Sequence, residues 1–464
     1  MIIRHRRIYS DILWFRRDLR IKDNPLLSVP SKIVLPLFIF DTNILNRLKK
    51  DDNRITLVFN SIVRLKKDLR SLGLDLLVFR AKPIEVFNYL SKLIFIGKIY
   101  ATKENDSYSK ARDQEIQKDY KLCLINDSFL INPDDILTKN GKAYTVFSQF
   151  KRMALKRFIQ SADVKFLPTN DFKTPNIRFD NIIVIKDNNI LYLPFEIKSI
   201  GFEKKELKYI GATEEPERLL ENLDKVINQY EKERNFPYLD STSHLSCILR
   251  FGTISIREII RKALANKNPL AFINELIWRE FFNYLLYHFP HSETKNMKGI
   301  SVSWNYNKEL YNRWRYGETG IPIVDAGMRQ LLIEGFIHNR VRMIVASFLT
   351  KNLHIDWRYG ERHFAELLID YEVSSNVGNW QWIAGTGADP KSIFRTFNPF
   401  LQAQKFDPDA KYIKKYLPEL KNINPALINS SDFIYSTRIK NYPKPIVEIK
   451  KSAKDFRLLF LKKE

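Results

Sequence analysis

The sequence predicts two domains of different class: a parallel α/β domain first and an all-helical domain after it. Three observations lead there. From residue 11 to about 130, short apolar runs rich in β-branched residues alternate with helix-period segments, the pattern of a parallel sheet with crossover helices. Beyond Ile227 only helical periods remain, separated by Gly or Pro punctuation. The chain has 464 residues, 44% of them hydrophobic, enough for more than one core.

In chain order, strands are expected at Ile12 to Phe15, Ile33 to Phe40, Leu74 to Phe79, Lys98 to Thr102 and Leu122 to Ile125. Between the second and third, Ile55, Val58, Phe59, Ile62, Leu65 and Leu69 fall on one helical face. The first turn, Arg16-Arg17-Asp18-Leu19-Arg20, lacks the Gly-x-Gly-x-x-Gly that brings backbone close to a pyrophosphate, so an ordinary dinucleotide site is not expected there. Residues 131–225 read as a long irregular connection, with Pro133, Pro168, Pro175, Pro194 and Pro216 and scattered charge. The expected division is therefore 1–130, a connection at 131–225, and a helical domain at 226–464. Its helices are expected at Ile256 to Leu264, Ile273 to His288, Ile323 to Glu334, His338 to Leu353 and Arg362 to Leu368.

Lysine and arginine outnumber the acids by 76 to 53, a formal charge of +23, which favours a polyanionic partner and nucleic acid first. A proteome-wide bias toward Lys, Ile and Asn would produce part of the same surplus. Only Cys123 and Cys247 occur, which excludes a disulfide framework and a cysteine metal site and fits a reducing compartment. No apolar run reaches the roughly 20 residues of a membrane span, and Met1 to Ser10 is basic without the apolar core of a secretory signal. A cytoplasmic protein is expected. No His-x-x-x-His pair is present, and no metal site is expected.

Chemistry is expected in the stretch from Asp370 through Trp380 and Trp382 to Asp389, running on to Phe394 and Arg395, where carboxylates, amides, glycines and indoles suggest a lined pocket. Six of the seven tryptophans lie between Trp278 and Trp382. On the helix from Asn274 to Tyr287, the residues Glu275, Trp278, Arg279 and Phe282 share one face, a poor core surface. Along 338–353, Asn339, Arg342, Met343 and Ala346 lie on one side with Arg340 turned away, and Asp370 could neutralise Arg342. His338 reads as a hydrogen-bonded core histidine. Clustered oxidisable aromatics point to electron transfer.

These residues resemble the DNA photolyase and cryptochrome family along almost the whole chain. The motifs are Leu13-Trp-Phe-Arg-Arg-Asp-Leu-Arg20 with Asp23-Asn24, Thr242-Ser-His-Leu-Ser246, Asn274-Glu-Leu-Ile-Trp-Arg-Glu280, Thr319-Gly-Ile-Pro-Ile-Val-Asp-Ala326, His338-Asn-Arg-Val-Arg-Met343 and the stretch from Asp370. The resemblance implies a Rossmann-like antenna domain, a connecting loop and a helical domain that binds FAD, active in its reduced anionic form. It implies UV-damaged DNA as partner, no protein partner and a monomer. Most similar are class I cyclobutane pyrimidine dimer photolyases; a cryptochrome-type photoreceptor and a DASH-like single-strand-specific photolyase are the alternatives.

Carried over position by position, the resemblance implies FAD contacts from Tyr230, Thr242, Ser243, His244, Leu245, Ser246, Glu275, Arg279, Asn339, Arg342, Asp370, Glu372 and Asn376. Asn376 matches the residue at flavin N5, where an amide is compatible with a reduced anionic ring. Trp380, Trp357 and Trp304 match a three-indole relay to the surface. Trp278 and Trp382 match the aromatic walls around a flipped dimer, with Glu275, Asn339 and Met343 contacting it and Arg234, Arg340, Arg395 and Gln402 at phosphates or the pocket edge. Phe272 stands where many relatives have tryptophan, and Asn339 and Met343 stand where the (6-4) branch has histidines. A second, antenna chromophore is compatible with the family. Relatives that bind folate carry glutamate near Ser109, which speaks against folate here and leaves a deazaflavin, a second flavin or an empty site open.

Overall fold

Six strands in the order β5-β4-β1-β2-β3-β6 build the sheet of the N-terminal half. They are β1 (Ile8–Phe15), β2 (Val34–Asp41), β3 (Leu77–Ala81), β4 (Ile94–Thr102), β5 (Leu122–Ile125) and β6 (Leu191–Tyr192). The first five pair in parallel, and β6 adds a short antiparallel edge on β3. The computed structural model describes residues 8–160, 166–175, 191–192, 196–388 and 395–461; Asp389 and Phe394 of the stretch singled out above lie outside them.

Central β2 is buried along its whole length, which is why its sequence is a continuous apolar run and not an alternation. Helices α1 (Asn53–Ser71), α2 (Pro83–Leu93) and α3 (Ser107–Gln117) follow β2, β3 and β4. Asp52 caps α1 by accepting from the Arg54 amide, and Ile55, Ile62, Leu65 and Leu69 bury its apolar stripe. One apolar cluster on each face of the sheet, around Leu13 and Phe15 on one side and Ile12 and Trp14 on the other, follows from the strand period of two.

The segment read as an irregular connection contains helix α4 (Phe147–Gln160), and it also supplies the edge strand β6. The helices that matter below are α5 (Ile256–Leu264), α6 (Leu270–His288), α7 (Pro322–Glu334), α8 (Asn339–Ser347), α9 (Trp357–Leu367) and α10 (Val373–Ala384). Punctuation sets their ends: Pro322 opens α7, and Gly335 and Gly385, at φ 65° and 84°, close α7 and α10 in the left-handed region. The helix expected to reach residue 353 is α8 continued as a π-helix over Phe348–Asn352. Among the described residues no helix is long and apolar enough to cross a membrane, and no cluster of His, Cys, Asp and Glu could hold a metal ion.

Candidate active site

Strand order reverses between β1 and β4, and a crevice at that point, at the carboxyl ends of the strands, is where open α/β sheets admit ligands. Here it faces the helical half as a cleft lined by Arg17, Arg20, Glu104, Asn105, Asp106, Arg250, Arg279, Asn283 and Glu372 among others. Most of its charge is already matched. Arg16 Nη2 lies 2.7 Å from Asp113 Oδ1 and Arg112 Nη2 lies 2.8 Å from Glu104 Oε2. Burial alone would raise the Glu104 carboxyl, but the guanidiniums of Arg17, Arg112 and Arg16 together hold it well below the usual carboxylate range.

Arg17 bridges the halves: it pairs with Glu104, with Asp106 at 3.3 Å and with Glu372 at 3.3 Å. Arg250 reaches Glu372 from the other side at 3.5 Å. Arg279 and Glu372, expected to serve one cofactor, do face one cleft; Arg17 stood in a motif without an assigned role, and Arg250 in none.

Deeper in the helical half, Arg342 and Asp370 pair as expected, with Nη2 at 2.9 Å from Oδ2, and Arg342 Nε donates to the Ile337 carbonyl at 2.7 Å. Asn376, buried on α10, donates through Nδ2 to Glu361 at the carbonyl, 3.1 Å, and at Oε1, 3.0 Å. Both amide hydrogens are thereby committed. The Tyr371 hydroxyl donates to the same Oε1 at 3.3 Å, and burial raises the Glu361 carboxyl. Sequence reasoning missed Glu361, which sits on α9.

Tyr230 meets Phe272 edge-on at 5.4 Å and lies beneath Arg234, 5.6 Å away. Arg234 in turn pairs with Glu275. Thr242, Ser243 and Ser246 are half-buried, Leu245 is buried, and the helix Ser246–Phe251 begins at the last of them. His338 accepts from the Arg340 amide at 3.2 Å, and burial lowers it to about 4, so it is the neutral core histidine expected. Asn339 is exposed.

Several buried polar atoms lack a hydrogen-bond partner: Ser241 Oγ beside the Thr242 motif, Trp382 Nε1, Trp304 Nε1 and Gln402 Oε1. Such atoms need explaining in a native interior. A ligand with phosphate, ribose and heteroaromatic edges would satisfy a hydroxyl beside Thr242 and suits the charge of Arg279 and Arg342, so the residues present fit FAD.

Trp380 and Trp357 are buried, 2% and 1% exposed, and Trp304 is partly exposed. The Trp380 benzo edge lies on the backbone of Gly360, where a Cβ would overlap Cη2, and Gly360 is one turn along α9 from Trp357. Trp357 Nε1 donates to Asn296 Oδ1 at 3.0 Å. Trp314, fully buried, adds an edge contact to Trp380 at 6.2 Å.

Trp278 on α6 is stacked by Phe147 of α4, centroids 3.5 Å apart and planes 7° apart. It packs with the cluster around Phe281, and Trp382 packs with the cluster around Trp380. Arg340 is not turned away from Met343: its Nη1 lies 3.9 Å from Sδ, its Nη2 donates to Asn235 Oδ1 at 2.6 Å, and its guanidinium covers Phe406 at 4.4 Å. Arg395 is exposed, and Lys351 Nζ donates to its carbonyl at 2.6 Å.

Fold and site define a two-domain protein whose helical half can hold a nucleotide cofactor beside oxidisable indoles. The sequence matches the DNA photolyase family over residues 11–169 and the FAD binding domain of DNA photolyase over residues 272–460. A deoxyribodipyrimidine photo-lyase of Buchnera aphidicola subsp. Baizongia pistaciae is 35% identical, over 97% of this chain and 98% of that protein. An archaeal photolyase from Sulfolobus tokodaii, crystallised with two FAD molecules, superposes with a TM-score of 0.81 at 31% identity, over 97% of this chain and 99% of that one. A cryptochrome from Synechocystis gives 0.84 at 26%, over the same shares. The chain belongs to the DNA photolyase family.

Proposed function

We propose that this chain is a deoxyribodipyrimidine photo-lyase that splits cyclobutane pyrimidine dimers in DNA under blue light. The observation that carries the reading is on α10: Asn376, the candidate residue at flavin N5, and Trp380, the first indole of the candidate relay, are four residues apart and share a face. Bound in reduced form, FAD supplies the electron that light sends to the dimer and that returns once the ring has opened.

In this reading Tyr230, the segment from Thr242 to Ser246, Arg279, Arg342, Asp370, Glu372 and Asn376 hold the cofactor. Arg342 keeps Asp370 ionised and fixed, and Glu361 turns the Asn376 amide so that its carbonyl is the end left to meet the ring. Trp380, Trp357 and Trp304 pass electrons inward when the cofactor needs re-reduction. Trp278 and Trp382 hold the flipped dimer, Asn339 and Met343 border it, and Glu275, steadied by Arg234, hydrogen-bonds its carbonyls as charge develops. Arg340, Arg395 and Gln402 line the way in and hold phosphates. Orientation and electrostatics are the protein's share, and side-chain acid–base chemistry is minor.

The similarity to a cryptochrome supports a second reading, a blue-light receptor with the same cofactor. Illumination of the FAD-loaded protein with a dimer-containing oligonucleotide, single- and double-stranded, separates the two. Loss of dimers in light and not in darkness is expected; intact dimers with complete flavin photoreduction would transfer the assignment to the receptor, and repair of single strands alone to a DASH-like enzyme.

A further inference from the structure

Tyr209 has no part in the roles above, yet it is built into a line of polar and ring contacts that runs from solvent to the candidate cofactor site. Its buried ring lies flat on Phe336, centroids 3.8 Å and planes 8° apart. The Arg342 guanidinium stands 5.2 Å from the Phe336 ring, and Arg342 is the partner of Asp370. At its other end the Tyr209 hydroxyl is 3.3 Å from His244 Nδ1. His244 Nε2 is 2.5 Å from Asp240 Oδ1, and the Asp240 side chain is 72% exposed.

An ionised carboxylate can only accept, which assigns the proton of a neutral imidazole to Nε2 and leaves Nδ1 free to accept from the phenol. The placement is enforced. His244 sits at φ 53°, a region few residues other than glycine occupy. Gly211 lets it approach, since a Cβ there would overlap the His244 carbonyl oxygen and the Tyr209 ring. Backbone strain held at a polar contact points to function more often than to packing.

We propose that Tyr209 is a second redox site of this chain: a buried phenol that gives up an electron while His244 takes its proton. The proposal rests on the FAD reading above. In the step the phenolic O–H bond breaks, the proton passes to His244 Nδ1, and the electron goes to the photoexcited oxidised isoalloxazine. Asp240 offsets the charge of the resulting imidazolium. A positioned base is what makes the oxidation accessible, because a phenol that keeps its proton is a poor donor.

The test uses full-length, FAD-loaded, oxidised protein in a Trp380→Phe background, where the indole relay is silenced. Under blue light this variant is expected to retain slow flavin photoreduction, slowed further in heavy water, with a tyrosyl signal in electron paramagnetic resonance. Adding Tyr209→Phe, which keeps the stack on Phe336 and should leave flavin content unchanged, is expected to abolish the signal and lower the rate by on the order of a hundredfold. Asp240→Asn is expected to shorten the lifetime of the radical. A yellow Trp380→Phe protein with no residual photoreduction, or a residual rate indifferent to Tyr209→Phe, would overturn the proposal. A colourless protein that takes up no FAD would instead sink the cofactor reading and this one with it.

Discussion

The carboxyl ends of β1 and β4 and the interior of the helical half differ in how they handle buried charge and buried polar groups. At the strand ends Arg16, Arg112, Glu104 and Asp113, all nearly inaccessible, close on one another in a mesh of ion pairs. In the helical half Ser241 Oγ, Trp304 Nε1, Trp382 Nε1 and a carboxyl oxygen of Glu280 are buried with no hydrogen-bond partner. The first region pairs its charges internally, although Arg16 Nε and Asn105 Oδ1 keep no hydrogen-bond partner, and it reaches the helical half through Arg17. The second leaves polar valences open, as a site does when part of its partner set is brought by ligands. Stability should therefore be concentrated in the first region and function in the second.

The mesh should break hardest. Arg16→Met leaves Asp113 buried beside Arg112 with one partner fewer, and removal of one member of a buried ion pair costs about 3–5 kcal/mol. Chemical denaturation should show that loss while the folded fraction binds FAD at unchanged stoichiometry. Loss of FAD from protein that remains folded would erase the division between the regions.

Glu280 tests the other side. Its carboxyl accepts from the Leu130 and Ile131 amides at 2.9 and 3.3 Å, and burial raises it from 4.5 to about 7. The folded state then binds the proton more tightly than the unfolded chain, so stability from this group is greatest below about pH 4.5 and is lost as pH rises through 7. Glu280→Gln keeps an acceptor for the amides and removes the charge. Relative to wild type it should gain up to roughly 3 kcal/mol above pH 7 and nothing below pH 4.5. Thermal melts across that range check it, and a pH-independent difference would contradict a buried, unpaired carboxyl.

Gly360→Ala should cost about 1–3 kcal/mol, because a methyl there must displace the Trp380 indole. It should also slow flavin photoreduction without changing FAD content, which transient absorption would read. An equal rate would mean that the Trp380 position is not critical to the relay.

What the sequence made legible follows the same division. The five parallel strands were readable within a few residues because strands buried on both faces are runs of apolar residues. The Arg342 and Asp370 pair was readable because a buried guanidinium needs a carboxylate and one lay close in sequence. Arg17 with Glu372 was not: these partners are 355 residues apart, and although each stands in a motif of its own, nothing in the sequence joins them. Glu361 was hidden for the same reason, since only the fold brings it to Asn376. Helix α4 was missed because the prolines around it argued for a loop, although Phe150 and Ala154 carry the spacing of a buried stripe. The contact of Tyr209 with His244 depends on a left-handed His244 that no periodicity announces.

Phe147 of α4 lets the comparison be refined at its finest scale. Trp278→Ala should weaken dimer binding by about 1–3 kcal/mol, the range for loss of a base-stacking ring, with flavin content intact. Phe147→Leu leaves the indole in place but removes the ring stacked on it at 3.5 Å, an interaction worth about 0.5–1.5 kcal/mol beyond the area it buries. Phe147 occupies one face of Trp278 and Phe282 is stacked with it at 5.6 Å, so Phe147 is expected to act on binding by holding the indole at its angle. Fluorescence anisotropy with a dimer-containing duplex should therefore show a smaller loss for Phe147→Leu than for Trp278→Ala, and undamaged duplex should bind both variants as it binds wild type. Equal losses for the two variants would mean that Phe147 itself touches the lesion, and a loss on undamaged duplex would move both rings from the lesion pocket to the general DNA-binding face.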